Sequence, residues 1–375
     1  MFKHQDALET LNKDIPLGEK LRFIHAFLHQ QFDFIDRIAI ALYDEKTDLL
    51  KTYVHSSGLD IPLQHYQSTL AEAPSLQEII RLGRPRVVND MSFLAGSSKV
   101  HSQRIGAQGY GSSYTLPMYS NGCFFGFLFF NSYRSDVFSE SALHYIDLYG
   151  HLLELIVINE LAEVRALVAS IKTATNMALQ RDFETGYHLE RMSNYARLIA
   201  RDLADKYGLT DDIVEHIFLF APLHDIGKIG IPDHILLKPG KLSAEEYEIM
   251  QKHVGKGVEI IDAMVANFGL QEVKHIDILR NVAHYHHEAI NGSGYPQGLK
   301  GEEIPPEARI VAVADVFDAL TSRRSYKDAW SNDAAFALLL ELSDSKFDRD
   351  CVQTLIARRE EVEQIQARFR EETIS

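Results

Sequence analysis

The sequence predicts an α+β chain of more than one domain: an α/β sheet domain at the N-terminus, a long connecting helix, and an all-helical C-terminal domain. Three observations predict it. Strand-like runs and an Asn-Gly hairpin signal are confined to residues before about 140. Residues 151–181 contain neither Gly nor Pro. Beyond them the apolar spacing is helical almost throughout. The boundaries read 1–150, 151–181 and 182–375.

A chain of 375 residues can bury two or three cores. Its 46% hydrophobic and 24% charged residues describe a globular protein. No apolar run is long enough to span a bilayer, and the N-terminus lacks the pattern of a signal peptide. Cys123 and Cys351 are far apart, so no disulfide framework is expected, and the reading is cytoplasmic. A net charge of -15 argues against a general DNA or RNA binder. It leaves room for a small anionic substrate where a few Lys and Arg converge. The chain has 17 histidines, more than half of them between His188 and Gly294, and this clustering calls for an explanation.

In the first domain, residues 37–43 (RIAIALY) and 49–54 have strand character around a polar turn at 44–48. Ser75 to Leu82 reads as a short helix stopped by Gly83 and Pro85. Tyr114–Tyr119 and Cys123–Asn131 flank Ser120-Asn121-Gly122, a hairpin signal. No cluster here could do chemistry. The bland reading is a structural or dimerising domain, and the sharper one a small-ligand sensor. Over roughly residues 20–155 this pattern resembles a GAF domain, an input module of bacterial signalling. The resemblance implies a sensory role and names no ligand.

In the connecting helix, Val157, Leu161, Val164, Val168, Ile171, Thr175 and Ala178 alternate steps of four and three. This seam fits either packing on the chain's own domain or pairing with a second copy, and its place between two domains favours a homodimer.

The helical domain carries polar residues where core side chains are expected. Met192, Tyr195, Ile199 and Leu203 form a stripe that extends back to His188 and Glu184. Ile213, Ile217 and Phe220 lead to His224-Asp225. A helix started by the capping-box pair Ser243 and Glu246 carries Tyr247, Met250, Gly257 and Ile260, with His253 among them. Val273, Ile276, Leu279 and Ala283 end in His286-His287, and Ala308, Val311 and Ala314 lead to Asp315 and Asp318. One such histidine is ordinarily a hydrogen-bonded core residue, and one such Asp a cap or an arginine partner. Several helices aiming ionisable groups inward together point to a shared metal centre, because an unpartnered buried carboxylate costs several kcal/mol. The donors are nitrogen and oxygen without thiolate, which fits Fe, Mn, Ni, Co or Zn. Two or three such ions make a hydrolytic site that serves phosphodiester cleavage best.

These residues also form a known pattern. His224-Asp225 with Gly227-Lys228, then His253, then His286-His287-Glu288 and Asn291-Gly292-Ser293-Gly294-Tyr295-Pro296 resemble the HD-GYP family. Gly298-Leu299, Ile304-Pro305, Ala308-Arg309-Ile310, Asp315, Asp318-Ala319-Leu320 and Arg324-Ser325-Tyr326-Lys327 continue the resemblance, which covers roughly residues 170–350. It implies hydrolysis of cyclic dinucleotides, chiefly cyclic di-GMP, to the linear dinucleotide pGpG or GMP. Some members prefer cyclic GMP-AMP. It further implies His224, Asp225, His253, His286, His287 and Asp315 as metal ligands with Asp225 bridging. Glu184 and His188 match the upstream pair, and the Glu goes with a third metal. The cofactor expected is two or three divalent ions, iron first. Lys228 matches a lysine near the substrate phosphate, Tyr295 borders the site, and Arg324 and Lys327 match basic residues that hold the second phosphate or guanine. Asn291 stands where many members carry Asp; Asn also occurs there. Competing readings are an HD-type nucleotidase and a non-catalytic receptor or adaptor, the latter disfavoured because no expected ligand is missing.

Overall fold

The computed structural model describes residues 6–58, 65–92, 105–178, 186–268, 275–322 and 329–370. They form two compact units, 1–162 and 163–375, divided within one long helix.

The first unit is built on six strands: β1 (Arg37–Asp44), β2 (Leu49–Ser57), β3 (Gln67–Thr69), β4 (Arg86–Val88), β5 (Ser112–Ser120) and β6 (Cys123–Ser132). Their order is β3-β2-β1-β6-β5-β4, and every neighbouring pair is antiparallel. The expected hairpin joins β5 to β6, with positive φ at Asn121 and Gly122 as a tight primed turn requires. Alternation sorts the two faces. Ile38, Ile40 and Leu42 of β1, with Tyr114, Leu116, Leu128 and Phe130, share a core with Leu21, Ile24 and Leu28 of α1 (Leu17–Gln31) and Ile146, Leu153 and Val157 of α3 (Glu140–Ala178). The opposite face, with Ala41, Leu50 and Phe127, packs on Leu76 and Ile79 of α2 (Pro74–Leu82), which ends at Gly83 in the left-handed conformation.

The helix α3 includes residues 151–178 of the expected connecting segment, and 179–181 lie outside the described residues; the first half of its seam is already occupied. Val157 and Leu161 lie in the core of the first unit, Val164 and Val168 in that of the second. A heptad spacing and a single buried face coincide over a few turns, so the sequence pattern could not separate them. The side chains of Ile171, Thr175 and Ala178 lie outside the described residues. The large apolar residues that α3 exposes are Tyr145, Leu148 and Leu155.

The second unit is helical: α4 (Gly186–Asp202), α5 (Asp211–Phe220), α6 (Ala244–Gln251), α7 (His253–Phe268), α8 (Ile276–Tyr285), α9 (Pro306–Thr321), α10 (Asn332–Glu341), α11 (Arg349–Ala357) and α12 (Arg359–Arg368), with short helical turns between. Among the described residues it contains no strand, only isolated bridges. Its centre is α9, apolar on nearly every side, whose Phe317 packs against Tyr195 and Phe336. The capping box at Ser243 forms as expected, but its helix stops at Gln251. Tyr247 is therefore exposed and α6 buries nothing; the inward stripe is Val254, Ile261 and Val265 of α7. The break lets His253 begin a new helix with its ring turned inward.

Leu161→Ala, which empties a buried site, should lower the stability of the first unit by about 2–5 kcal/mol. The exposed Leu155→Ala should change it by less than about 0.5 kcal/mol. Urea unfolding followed by tryptophan-independent far-UV signal checks the difference.

Candidate metal centre

Pro222, in a 3-10 turn after α5, ends that helix and delivers His224 and Asp225 to the interior. The following turn carries Gly227, where an added Cβ would lie 1.8 Å from the carbonyl oxygen of His253 and 2.5 Å from the nitrogen of Gly257. Only glycine lets this turn lie directly on α7, and that contact sets Asp225 beside His253.

Four side chains, Asp225, His253, His286 and His287, offer ligand atoms that all lie within 4.8 Å of one another. His253 Nε2 is 3.2 Å and His286 Nε2 3.6 Å from Asp225 Oδ1. On the other oxygen, Asp225 Oδ2 is 3.2 Å from His224 Nε2 and 2.6 Å from Lys228 Nζ. Asp315 Oδ1 stands 3.8 Å from both His224 Nε2 and His188 Nε2. The structure thus brings His188, His224, Asp225, His253, His286, His287, Asp315 and Lys228 into one place. Glu184, Arg324 and Lys327 lie outside the described residues.

The far side of each ring is pinned. Nδ1 of His224, His253 and His286 donates to the carbonyls of Ala221, Met250 and Val282, at 3.0, 2.8 and 2.9 Å. A neutral imidazole bonded this way has its lone pair on Nε2, facing inward. His253 Nε2, His286 Nε2 and Asp225 Oδ1 are buried without a hydrogen bond. Acceptors turned toward one another at this spacing repel unless a cation lies between them, so the donor set fits a metal. Burial makes the adjacent pair harder to protonate: it pushes His286 down, and His287, with His286 adding repulsion, to about 2. Burial alone would raise Asp225, but Lys228 and His224 override it and hold the carboxyl well below the usual range. Lys228 is therefore no solvated turn residue.

Two groups that the sequence reading named without a role, Asp318 and Glu288, support the site. Asp318 is fully buried; its Oδ2 accepts from His188 Nδ1 at 2.7 Å, and Arg191 grips both oxygens at 2.8 and 3.0 Å. Arg191 also bonds Ser322 Oγ and the carbonyl of Phe369. The signal was an arginine one turn from His188 on the buried face of α4. Glu288 is the second: its carboxylate accepts from the backbone nitrogens of Gln297, Gly298 and Leu299 at 2.7–3.1 Å and so shapes the Gly-Tyr-Pro loop. A Cβ at Gly294 would lie 2.3 Å from the nitrogen of Ala289, so the loop closes on the histidine pair only with glycine there. Tyr295 then covers His287, ring centroids 4.8 Å apart, and edges His253.

The family model for the HD domain matches residues 173–351. This part of the chain is similar to HD domains. The chain is 48% identical over 189 residues to the cyclic di-GMP phosphodiesterase response regulator RpfG of Xanthomonas campestris, covering 50% of this chain and 47% of that one. It is 41% identical over 192 residues to the 3'3'-cGAMP-specific phosphodiesterase 2 of Vibrio cholerae, covering 51% and 35%. The chain thus spans about half or less of the length of these relatives. Of solved structures, the GAF domain of an Acinetobacter phosphoenolpyruvate-protein phosphotransferase aligns over 42% of this chain and 90% of its own, at 15% identity and a TM-score of 0.33. That likeness adds nothing to the sheet order described above. No helix among the described residues is long and apolar enough to cross a membrane.

Asp318→Asn should weaken divalent-metal binding about 10–100-fold, the usual effect of losing a ligand's hydrogen-bond partner. Competition of Co²⁺ against a chromophoric chelator measures it, with circular dichroism as the check on folding.

Proposed function

We propose that the protein is a metal-dependent phosphodiesterase that hydrolyses cyclic di-GMP to linear pGpG, to GMP, or to both. The observation that carries the reading is Asp225 Oδ1 facing two buried imidazole nitrogens in a geometry that makes no hydrogen bond. Identity to curated cyclic-dinucleotide phosphodiesterases supports it. Asp225, His224, His253, His286, His287 and Asp315 would hold the ions, with His188 and Glu184 extending the set to a third. Iron is the first choice, with Mn, Ni, Co and Zn as alternatives. Bound there, the ions supply hydroxide near neutral pH and charge for the phosphoryl oxygens.

The chain's own residues do the rest. Each hydrolysis adds one water, breaks one P–O ester bond and leaves a phosphate and a hydroxyl. Lys228, already neutralising Asp225 Oδ2, brings its ammonium to the substrate phosphate. Tyr295 walls the histidine side and offers its ring to a base. Arg324 and Lys327 complete the reading by holding the second phosphate or guanine. Asp318 and Arg191 hold His188 in one orientation.

The reading includes a sensor role for the GAF-like first unit, with an unidentified small ligand, and a cytoplasmic site of action, where the second messenger is. It also includes a homodimer through the connecting helix. A preference for cyclic GMP-AMP is the second reading, favoured by the 41% identity to the Vibrio enzyme.

With cyclic di-GMP and 3'3'-cGAMP supplied side by side to anaerobically purified, metal-loaded protein, the expected result is faster loss of cyclic di-GMP. Asp225→Ala should abolish turnover of both while the circular dichroism spectrum is kept. Retained turnover in that variant would contradict the assignment, and binding without turnover in the parent would favour an adaptor.

A further inference from the structure

The first unit contains a cavity of about 340 Å³ on the face of the sheet away from α1. That is the lower end of the range for small-molecule sites. Small and polar residues at alternate strand positions make the room: Ala41 of β1, Thr52 of β2, Ser113 and Thr115 of β5, and Asn131 of β6. Larger side chains at those positions would fill it, as they fill the opposite face. The rest of the lining is mostly apolar and aromatic, with Leu50, Leu76, Tyr66, Tyr110 and Phe129.

Two guanidiniums, those of Arg37 and Arg86, line this wall. Arg86 of β4 lines the cavity and pairs in register with Thr115. Its Nη1 donates to the carbonyl of Ser75 at 3.1 Å, while its Nε is buried with no hydrogen-bond partner. No carboxylate pairs with it among the described residues. Burial presses on its charge, pulling the guanidinium down from its ordinary range. The same bond to Ser75 brings Arg86 to the first turn of α2, where Ala73, Pro74, Ser75 and Leu76 also line the cavity and no side chain caps the helix. A guanidinium attracts and orients anions such as carboxylate and phosphate. The one acid in the lining, Glu72, is exposed and turned back onto the backbone nitrogen of Thr69.

We propose that this cavity binds a small molecule with a flat apolar body and one anionic head, the head held by Arg86 at the N-terminus of α2 and the body against Phe129, Tyr66 and Tyr110. The proposal rests on the sensor reading of the first unit and names its ligand class; it uses no residue of the metal centre, so its failure and that of the phosphodiesterase reading are separate.

The test uses the full chain and two fluorescent probes of similar shape, anionic 8-anilinonaphthalene-1-sulfonate and neutral N-phenyl-1-naphthylamine. The parent binds the anionic probe more tightly. Arg86→Gln weakens the anionic probe at least tenfold and leaves the neutral one within threefold, while Arg86→Lys, which keeps the charge, retains part of the preference. Competition by 1-naphthoate against 1-naphthyl phosphate then tells a carboxylate head from a phosphate head. Equal affinity of the parent for both probes, an unchanged anionic affinity in a folded Arg86→Gln, or failure of both competitors would each overturn the proposal. If Arg86→Gln does not fold, loss of the preference in Arg86→Lys to the level of the neutral probe would do so as well.

Discussion

The second unit is arranged around one buried carboxylate. Asp225 sits where two imidazoles present lone pairs to one of its oxygens and a lysine ammonium holds the other. Neither a hydrophobic core nor an ordinary salt bridge produces that geometry. Its cost in desolvation is met only if positive charge occupies the space between the donors. Much else follows from keeping this arrangement in place: Gly227 pressed onto α7, the break before His253, and Nδ1 of three rings tied to backbone carbonyls.

The supports are layered. Backbone carbonyls orient three of the histidines, which needs no particular partner side chain and is set by helix geometry alone. His188 is different: it is oriented by Asp318, which is in turn gripped by Arg191 and Ser322. The Gly-Tyr-Pro loop has its own anchor in Glu288, and Tyr295 stands over His287. Most of the donors are thus oriented by hydrogen bonds of their own, the kind of support that metal and catalytic sites require.

What the sequence revealed depended on how local the cause was. The Asn-Gly hairpin, the capping box at Ser243 and the inward stripe of α4 follow from neighbours in the chain, and the structure has all three. The donors were legible because His224, His286 and Asp315 fall at the ends of apolar periods. The stripe through Tyr247 and Ile260 was misread because a single helix was carried across the break at Lys252. The seam of α3 was ambiguous for a deeper reason: Val157 and Val164 bury in different cores, a fact no periodicity records. The grip of Arg191 on Asp318 joins residues far apart in sequence, and the role of Glu288 depends on the loop's final shape. The one local sign of either was the arginine a turn from His188, which does not say where its partner lies.

The most direct measurement is anomalous X-ray diffraction from crystals of anaerobically purified protein, recorded on both sides of the iron edge. The account predicts anomalous peaks bounded by Asp225 Oδ1 and Nε2 of His253 and His286, or the same peaks at another metal's edge. Imidazoles linked to Asp225 by ordinary hydrogen bonds or water, with no anomalous scatterer among them under metal-replete conditions, would contradict it.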